Sequence, residues 1–283
     1  MWLSFALASA LLLAVRRIYE KKLTDSFGNF SLSFVTLAFS LPFLAIAYLF
    51  VATDASNIPR TAAFWVPLVI IWVFIYPVQN YFLYRSLREG EFSEVIPISA
   101  LLPVFNVVTS LLVIGESPTP QGAVGIALTV CATWLLLGGE GRRRFNMPVL
   151  FMIISVLCTA IGATLDKVAI EASAPLIYSL VNIGGGVVVF AILTFAVRSE
   201  HELVRVRDHL GTLLFMGALL AFGFVIFSTA FALGPTSYTL AIRSGGFLAA
   251  ALWGIIALNE PASPRKLLAL ALFSLGTLAL ALG

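Results

Sequence analysis

Residues 116–138 read Glu116-Ser-Pro-Thr-Pro-Gln-Gly-Ala-Val-Gly-Ile-Ala-Leu-Thr-Val-Cys-Ala-Thr-Trp-Leu-Leu-Leu-Gly138. At a shift of 144 positions the pattern returns as Glu260-Pro-Ala-Ser-Pro-Arg-Lys-Leu-Leu-Ala-Leu-Ala-Leu-Phe-Ser-Leu-Gly-Thr-Leu-Ala-Leu-Ala-Leu282. In both copies a glutamate is followed four residues later by a proline, and the proline opens an apolar run. A bilayer core offers no water to a peptide group, so a chain that enters it must be a helix or a closed barrel. These runs are continuous rather than alternating and approach the roughly 20 residues a helix needs to cross.

Outward from these runs, the chain repeats the theme. Apolar stretches predict helices over 2–20, 30–52, 63–88, 92–114, 120–138, 147–170, 175–197, 210–233, 236–258 and 264–282. The expected class is an all-α membrane protein of ten transmembrane helices. Hydrophobic residues make up 60% of the 283 and charged residues 11%, against about 25% charged in a soluble domain. Cys131 and Cys158 lie inside apolar runs and read as small buried hydrophobes. No cofactor or metal site is expected. The first run has no basic residues ahead of it, the reverse of a signal peptide's charge order.

The basic residues sort by loop. The loops after odd-numbered spans hold 14 of the 17: Arg16, Arg17, Lys21, Lys22, Arg85, Arg88, Arg142, Arg143, Arg144, Arg198, Arg205, Arg207, Arg265 and Lys266. The even loops hold Arg60 and Lys167, and Arg243 lies within span nine. Cytoplasmic loops retain Lys and Arg, so the odd loops are expected inside and both termini outside, on the periplasmic face of an inner membrane. Spread this way, the basic residues form no nucleic-acid patch.

Residues 82–138 align without gaps to 226–282, with nine of 57 pairs identical. Gly90 meets Gly234, Ser93 meets Ser237, Glu116 meets Glu260, Pro120 meets Pro264, and Lys21 meets Lys167 at a shift of 146. Five spans per half is an odd number, so the second half is inverted relative to the first, the plan of carriers with a site between their halves. The expected domains are 1–138 and 147–283, joined by a cytoplasmic linker over 139–146.

Polar residues inside spans mark the candidate site. Arg243 costs roughly 3 kcal/mol at mid-membrane. It is either the anchor for a substrate carboxylate or phosphate, which its fork suits, or an internally paired group with Asp166. Tyr76, Asn80 and Tyr84 share one face of span three, with Gln79 beside them. Ser99, Asn106 and Ser110 continue the row on span four, where Pro103 is expected to kink the helix. Phe224 and Phe227 on span eight are expected as an apolar wall. Tyr178 and Asn182 read as packing groups. Asp166, Lys167, Glu116 and Glu260 are candidates for gating or coupling. Each glutamate also sits close to a helix start, with Thr119 and Ser263 as caps. Gly90 and Gly234 are expected to end their helices in the left-handed conformation.

The stretch Ala100 to Glu116, then the run to Leu137, resembles the fourth and fifth helices of an EamA domain of the drug/metabolite transporter superfamily. The second half repeats it with Glu260 and the Leu/Ala-rich last helix. It departs at Asn259, where the first half has Gly115, and at Phe247, where the first half has Pro103. The resemblance implies a ten-helix carrier with a central cavity that exports small metabolites such as amino acids. Sugar-phosphate carriers are relatives, and a flippase for lipid-linked substrates is the alternative. An enzyme is not expected: no span holds a histidine, and there is no His-Glu-x-x-His or Gly-x-Ser-x-Gly. The partners are the bilayer and a small-molecule substrate. Proton coupling and facilitated transport both fit, as do a monomer and a homodimer.

The charge bias makes a direct prediction. A reporter fused after Gly283 should give a periplasmic signal, and a cytoplasmic one would reverse the orientation. Neutralising 142–144 alone should not invert the protein, because four other loops carry the same bias.

Overall fold

The computed structural model describes residues 1–51, 58–90, 95–137, 146–244 and 264–282. Its helices are α1 (Trp2–Leu23), α2 (Asn29–Val51), α3 (Ala62–Glu89), α4 (Leu102–Ile114), α5 (Pro120–Leu137), α6 (Met147–Glu171), α7 (Pro175–Ala196), α8 (Leu210–Leu233), α9 (Thr236–Ser244) and α10 (Pro264–Leu282). No strand occurs among the described residues. Five of these helices, α2, α3, α6, α7 and α8, are long and apolar enough to cross a membrane; α1, α4, α5 and α10 hold shorter apolar segments. Large apolar side chains lie bare on their outer faces, such as Phe50, Val108, Leu112 and Ile192. A hydrocarbon environment accepts such a surface; water does not.

Contacts between turns fall into two sets. In one, Arg88 donates to the carbonyls of Thr24 (3.1 Å) and Phe27 (2.9 Å), Arg205 to Ser26 (2.6 Å), and Ser86 to Pro148 (2.7 Å). Glu202 accepts from Gly28 N (2.6 Å) at the start of α2, where an anion meets the unfilled amides of a helix N-terminus. In the other set, Glu116 accepts from the amide (2.7 Å) and hydroxyl (3.0 Å) of Thr236. Lys167 Nζ donates to the carbonyls of Phe231 (2.5 Å) and Gly234 (3.0 Å). Odd-numbered turns thus meet odd and even meet even, as helices running alternately up and down require.

The helix ends follow local chemistry. Asn146 caps α6 by accepting from Val149 N (3.1 Å), and Thr119 caps α5 by accepting from Gly122 N (3.0 Å). Gly115 ends α4 in the left-handed region, at φ 70°.

Four details differ from the sequence reading. Gly90 and Gly234 are extended (φ −109° and −145°), not left-handed. They are glycines for space: a Cβ would come 2.6 Å from Val95 Cγ1 at Gly90 and 2.8 Å from the Trp2 ring at Gly234. Pro103 does not kink a continuous helix. A 3-10 turn over Ile96–Leu101 precedes α4, and Pro103 stands in the first turn of α4, where its missing N–H costs nothing. Glu116 serves the start of α9 in the other half rather than its own helix. Cys131 is exposed and Cys158 only partly covered; α5 turns that face outward. Ser93, Glu260 and Phe247 lie outside the described residues.

The α8–α9 turn is therefore held from both sides, by Lys167 at the end of α8 and Glu116 at the start of α9. Removing either leaves backbone groups in a dry environment without partners, at about 1–3 kcal/mol each. Lys167→Met and Glu116→Ala should each lower the thermal unfolding midpoint of the purified protein in detergent. Midpoints equal to the wild type would show that the turn holds without them.

Candidate functional site

A cavity of about 190 Å³ lies inside the bundle, and residues of α1, α2, α3, α4, α6, α7, α8 and α9 line it together with Ser99 from the 3-10 turn. No described residue of α5 or α10 reaches it. Those two helices pack on each other, with Gly125 and Gly276 allowing close approach. Both halves of the chain contribute to the cavity, which is what a site between two repeats demands.

The polar wall comes mostly from α3. Tyr76, Gln79, Asn80 and Tyr84 all line the cavity. A π-turn over Ile71–Ile75 precedes this segment. Pro77 lacks the N–H that a regular helix would donate backward, and the wider turn absorbs that loss. The π-turn also resets the rotation of the row that follows. Asn80 donates to the Tyr76 carbonyl at 3.0 Å.

The aromatic wall comes from α8. Phe224 and Phe227 line the cavity, and Phe224 stacks on Tyr178 with ring centroids 6.0 Å apart. Arg243 lines it from α9, with its guanidinium carbon 3.8 Å from the centroid of the Phe227 ring. A cation over an aromatic face is attracted by the ring quadrupole, the more so where water is scarce.

Asp166 also lines the cavity. Its Oδ1 accepts the hydrogen of the Tyr178 hydroxyl. The Tyr178 oxygen accepts from Asn182 Nδ2 (2.6 Å), and Asn182 Oδ1 accepts from Trp72 Nε1 (2.9 Å). Tyr178 and Asn182 are fully buried behind the lining. As the sequence suggests, they are polar groups packed inside the bundle, and here they join α3, α7 and α6.

Other expected residues sit elsewhere. Asn106 is buried outside the lining and donates to Ala160 O (3.2 Å) and Thr164 Oγ1 (3.1 Å), joining α4 to α6. Ser110 bonds back to the Asn106 carbonyl at 2.7 Å. Glu116 and Lys167 hold the α8–α9 turn, and Lys167 also lies 3.3 Å from Glu171. Glu260 is outside the described residues.

Several lining residues escape the sequence reading, among them Ser33, Thr36, Ser155, Thr159 and the charged Arg16. Arg16, counted there with the loop bases, lies within α1 and faces the cavity. Its Nη2 is 2.6 Å from Oε1 of Glu20, which is wholly buried. The available signal is the spacing: an arginine and an acid four apart inside an apolar helix share one face.

A helical bundle with apolar outer faces and a cavity lined by both halves is the frame of a polytopic membrane protein. The chain belongs to the EamA-like transporter family, whose profile matches residues 1–138 and again 146–282. It is similar in fold to a solved structure titled only "Crystal structure of protein", with a TM-score of 0.74 and 15% identity, over 99% of this chain and 98% of that one. No curated protein matches it.

The placement of these side chains predicts solvent access. In a background with Cys131 and Cys158 replaced, single cysteines at Asn80 and Ser99 should react with a water-soluble thiol reagent. Cysteines at Asn106, buried, and Leu112, on the lipid face, should stay inert. Equal reactivity at all four sites would dissolve the distinction between cavity and packing.

Proposed function

We propose that the protein is a secondary carrier that moves a small amphipathic metabolite across the inner membrane by alternating access. Ten spans form two inverted halves, 1–138 and 147–283, with both termini outside. The observation that carries the reading is a cavity inside the bundle with a polar wall from α3, an aromatic wall from α8 and the Arg243 guanidinium set over the Phe227 ring. Arg243 takes the anionic end of the substrate in two parallel hydrogen bonds. Tyr76, Gln79, Asn80, Tyr84 and Ser99 offer donors and acceptors along the polar wall. Phe224 and Phe227 cover the apolar end.

The direction is export, with the substrate entering from the basic, odd-loop face. Rocking of the halves then opens the site to the other side. The driving force is a gradient, of the substrate itself or of protons exchanged at Asp166. A crevice between α1 and α8, bounded by Ser9, Leu12 and Gly223, adjoins Arg16 and Arg243 but encloses only about 10 Å³. That is room for roughly one water molecule and none for an acyl chain.

Efflux from preloaded proteoliposomes tests the reading. Arg243→Lys keeps the charge but loses the planar fork, and should slow transport about tenfold, the worth of one strained or missing charged hydrogen bond. Arg243→Ala should nearly abolish it while the protein still inserts. Transport that survives Arg243→Ala would take the residue out of the site.

A further inference from the structure

We propose that the 3-10 segment Glu200–Val206, between α7 and α8, is a strap that gates the cavity on the odd-loop face, with Glu202 as its latch. The inference rests on the carrier reading above, which needs the cavity to open to that face.

The strap leaves α7 through a strained residue. Arg198 N donates to Phe195 O (3.1 Å) and Ser199 N to Thr194 O (2.9 Å), which closes the helix end with Arg198 at φ 57°. Glycine takes that conformation at no steric cost, and a side chain does not. A residue held there persists because its surroundings impose it, a feature that clusters in switch segments. Beyond this turn the strap packs on α2.

Both ends of the strap belong to the second repeat, and its tethers reach into the first. The Glu202 carboxylate accepts from Gly28 N (2.6 Å) and from the Ser31 hydroxyl, at the start of α2. Arg205 Nη1 donates to Ser26 O (2.6 Å). The rings of Phe27 and His209 meet edge-on, with centroids 5.9 Å apart. The receiving turn is held in place by its own repeat, through Arg88. Gly28 leaves room for the latch: a Cβ there would lie 3.0 Å from Glu202 Oε2.

The strap's inner side joins residues of the cavity wall. Leu83, Met152 and Val156 of the lining share one apolar cluster with Phe27, and Leu203 and Val206 of the strap pack against it. His201, Val204 and Arg205 are exposed. The strap thus covers an apolar plug, and a few polar tethers at the water boundary hold it there. A short 3-10 segment has few good bonds of its own, so such a segment belongs to the low-stability part of a fold. Parting the repeats on this face must break the tethers. Removing Glu202 therefore favours the state open to the odd-loop face.

The test is cysteine labelling in sealed membrane vesicles of both orientations, with a membrane-impermeant maleimide added outside. The background lacks Cys131 and Cys158. Asn80→Cys reports on the cavity, and the exposed Arg207→Cys, made separately, identifies vesicles that present the odd loops. Glu202→Ala should raise the labelling rate of the reporter about tenfold from the odd-loop face, the worth of one charged hydrogen bond. The rate from the other face should not rise. Ser31→Ala and Arg205→Ala should act in the same direction, and they carry the test if Glu202→Ala does not fold. Asn106→Cys, buried outside the lining, should stay inert in every variant. An unchanged odd-face rate, equal gains from both faces, or a reactive Asn106→Cys overturns the strap as a gate and leaves the carrier reading standing. If the Asn80→Cys reporter is inert from both faces, with and without the strap substitutions, the cavity is not an aqueous site, and the carrier reading fails with the inference.

Discussion

A polar group taken into hydrocarbon must find its partner inside the protein, and this constraint organises the whole molecule. Hydroxyls meet it locally: Thr36, Ser110, Thr133, Thr164, Ser179 and Thr194 each bond back to the carbonyl four residues earlier. Charges meet it at a distance. Lys167 takes the last carbonyls of α8 and Glu116 the first amide of α9, so two costly side chains also tie together elements far apart in sequence. What remains polar on the cavity wall is therefore concentrated there rather than scattered through the bundle.

The sequence makes the outline legible for the same reason. Apolar runs, odd-numbered halves and the sorting of basic residues all follow from what lipid excludes. The cavity's polar row was also readable, because Tyr76, Asn80 and Tyr84 fall four apart and lipid gives an amide nothing in return. Asn106 shows the limit of that rule. It stands in the same kind of row, yet Ala160 and Thr164 on a neighbouring helix take its amide. Spacing places a side chain on a face and cannot say whether another helix covers that face.

The turns were less legible. A glycine that permits a left-handed backbone and a glycine that makes room for a neighbour are the same letter. Gly115 is the first kind, at φ 70°; Gly90 and Gly234 are the second, crowded by Val95, Pro148 and Trp2. Arg16 was missed because a basic residue near a helix end resembles one in a loop. Only the buried Glu20 one turn on marks it as interior. The row from Trp72 to Asp166 draws on three helices, and no local pattern in a single chain joins them.

The two halves repeat in sequence but not in the walls they give the cavity. At the 144-residue shift Ser99 answers Arg243, Asn80 answers Phe224 and Leu83 answers Phe227. The shared pattern supplies alike helices and turns, which inverted halves need if they are to exchange shapes. In the proposed carrier the unlike side chains supply a single site with one polar side and one aromatic side. If the halves rock about that site, its walls keep their identity while its opening changes face. A bound amphipathic molecule then keeps its polar end on α3 and its apolar end on α8 throughout, and it crosses without turning over. In the proposed carrier the repeat serves the motion, and the departures from the repeat serve recognition.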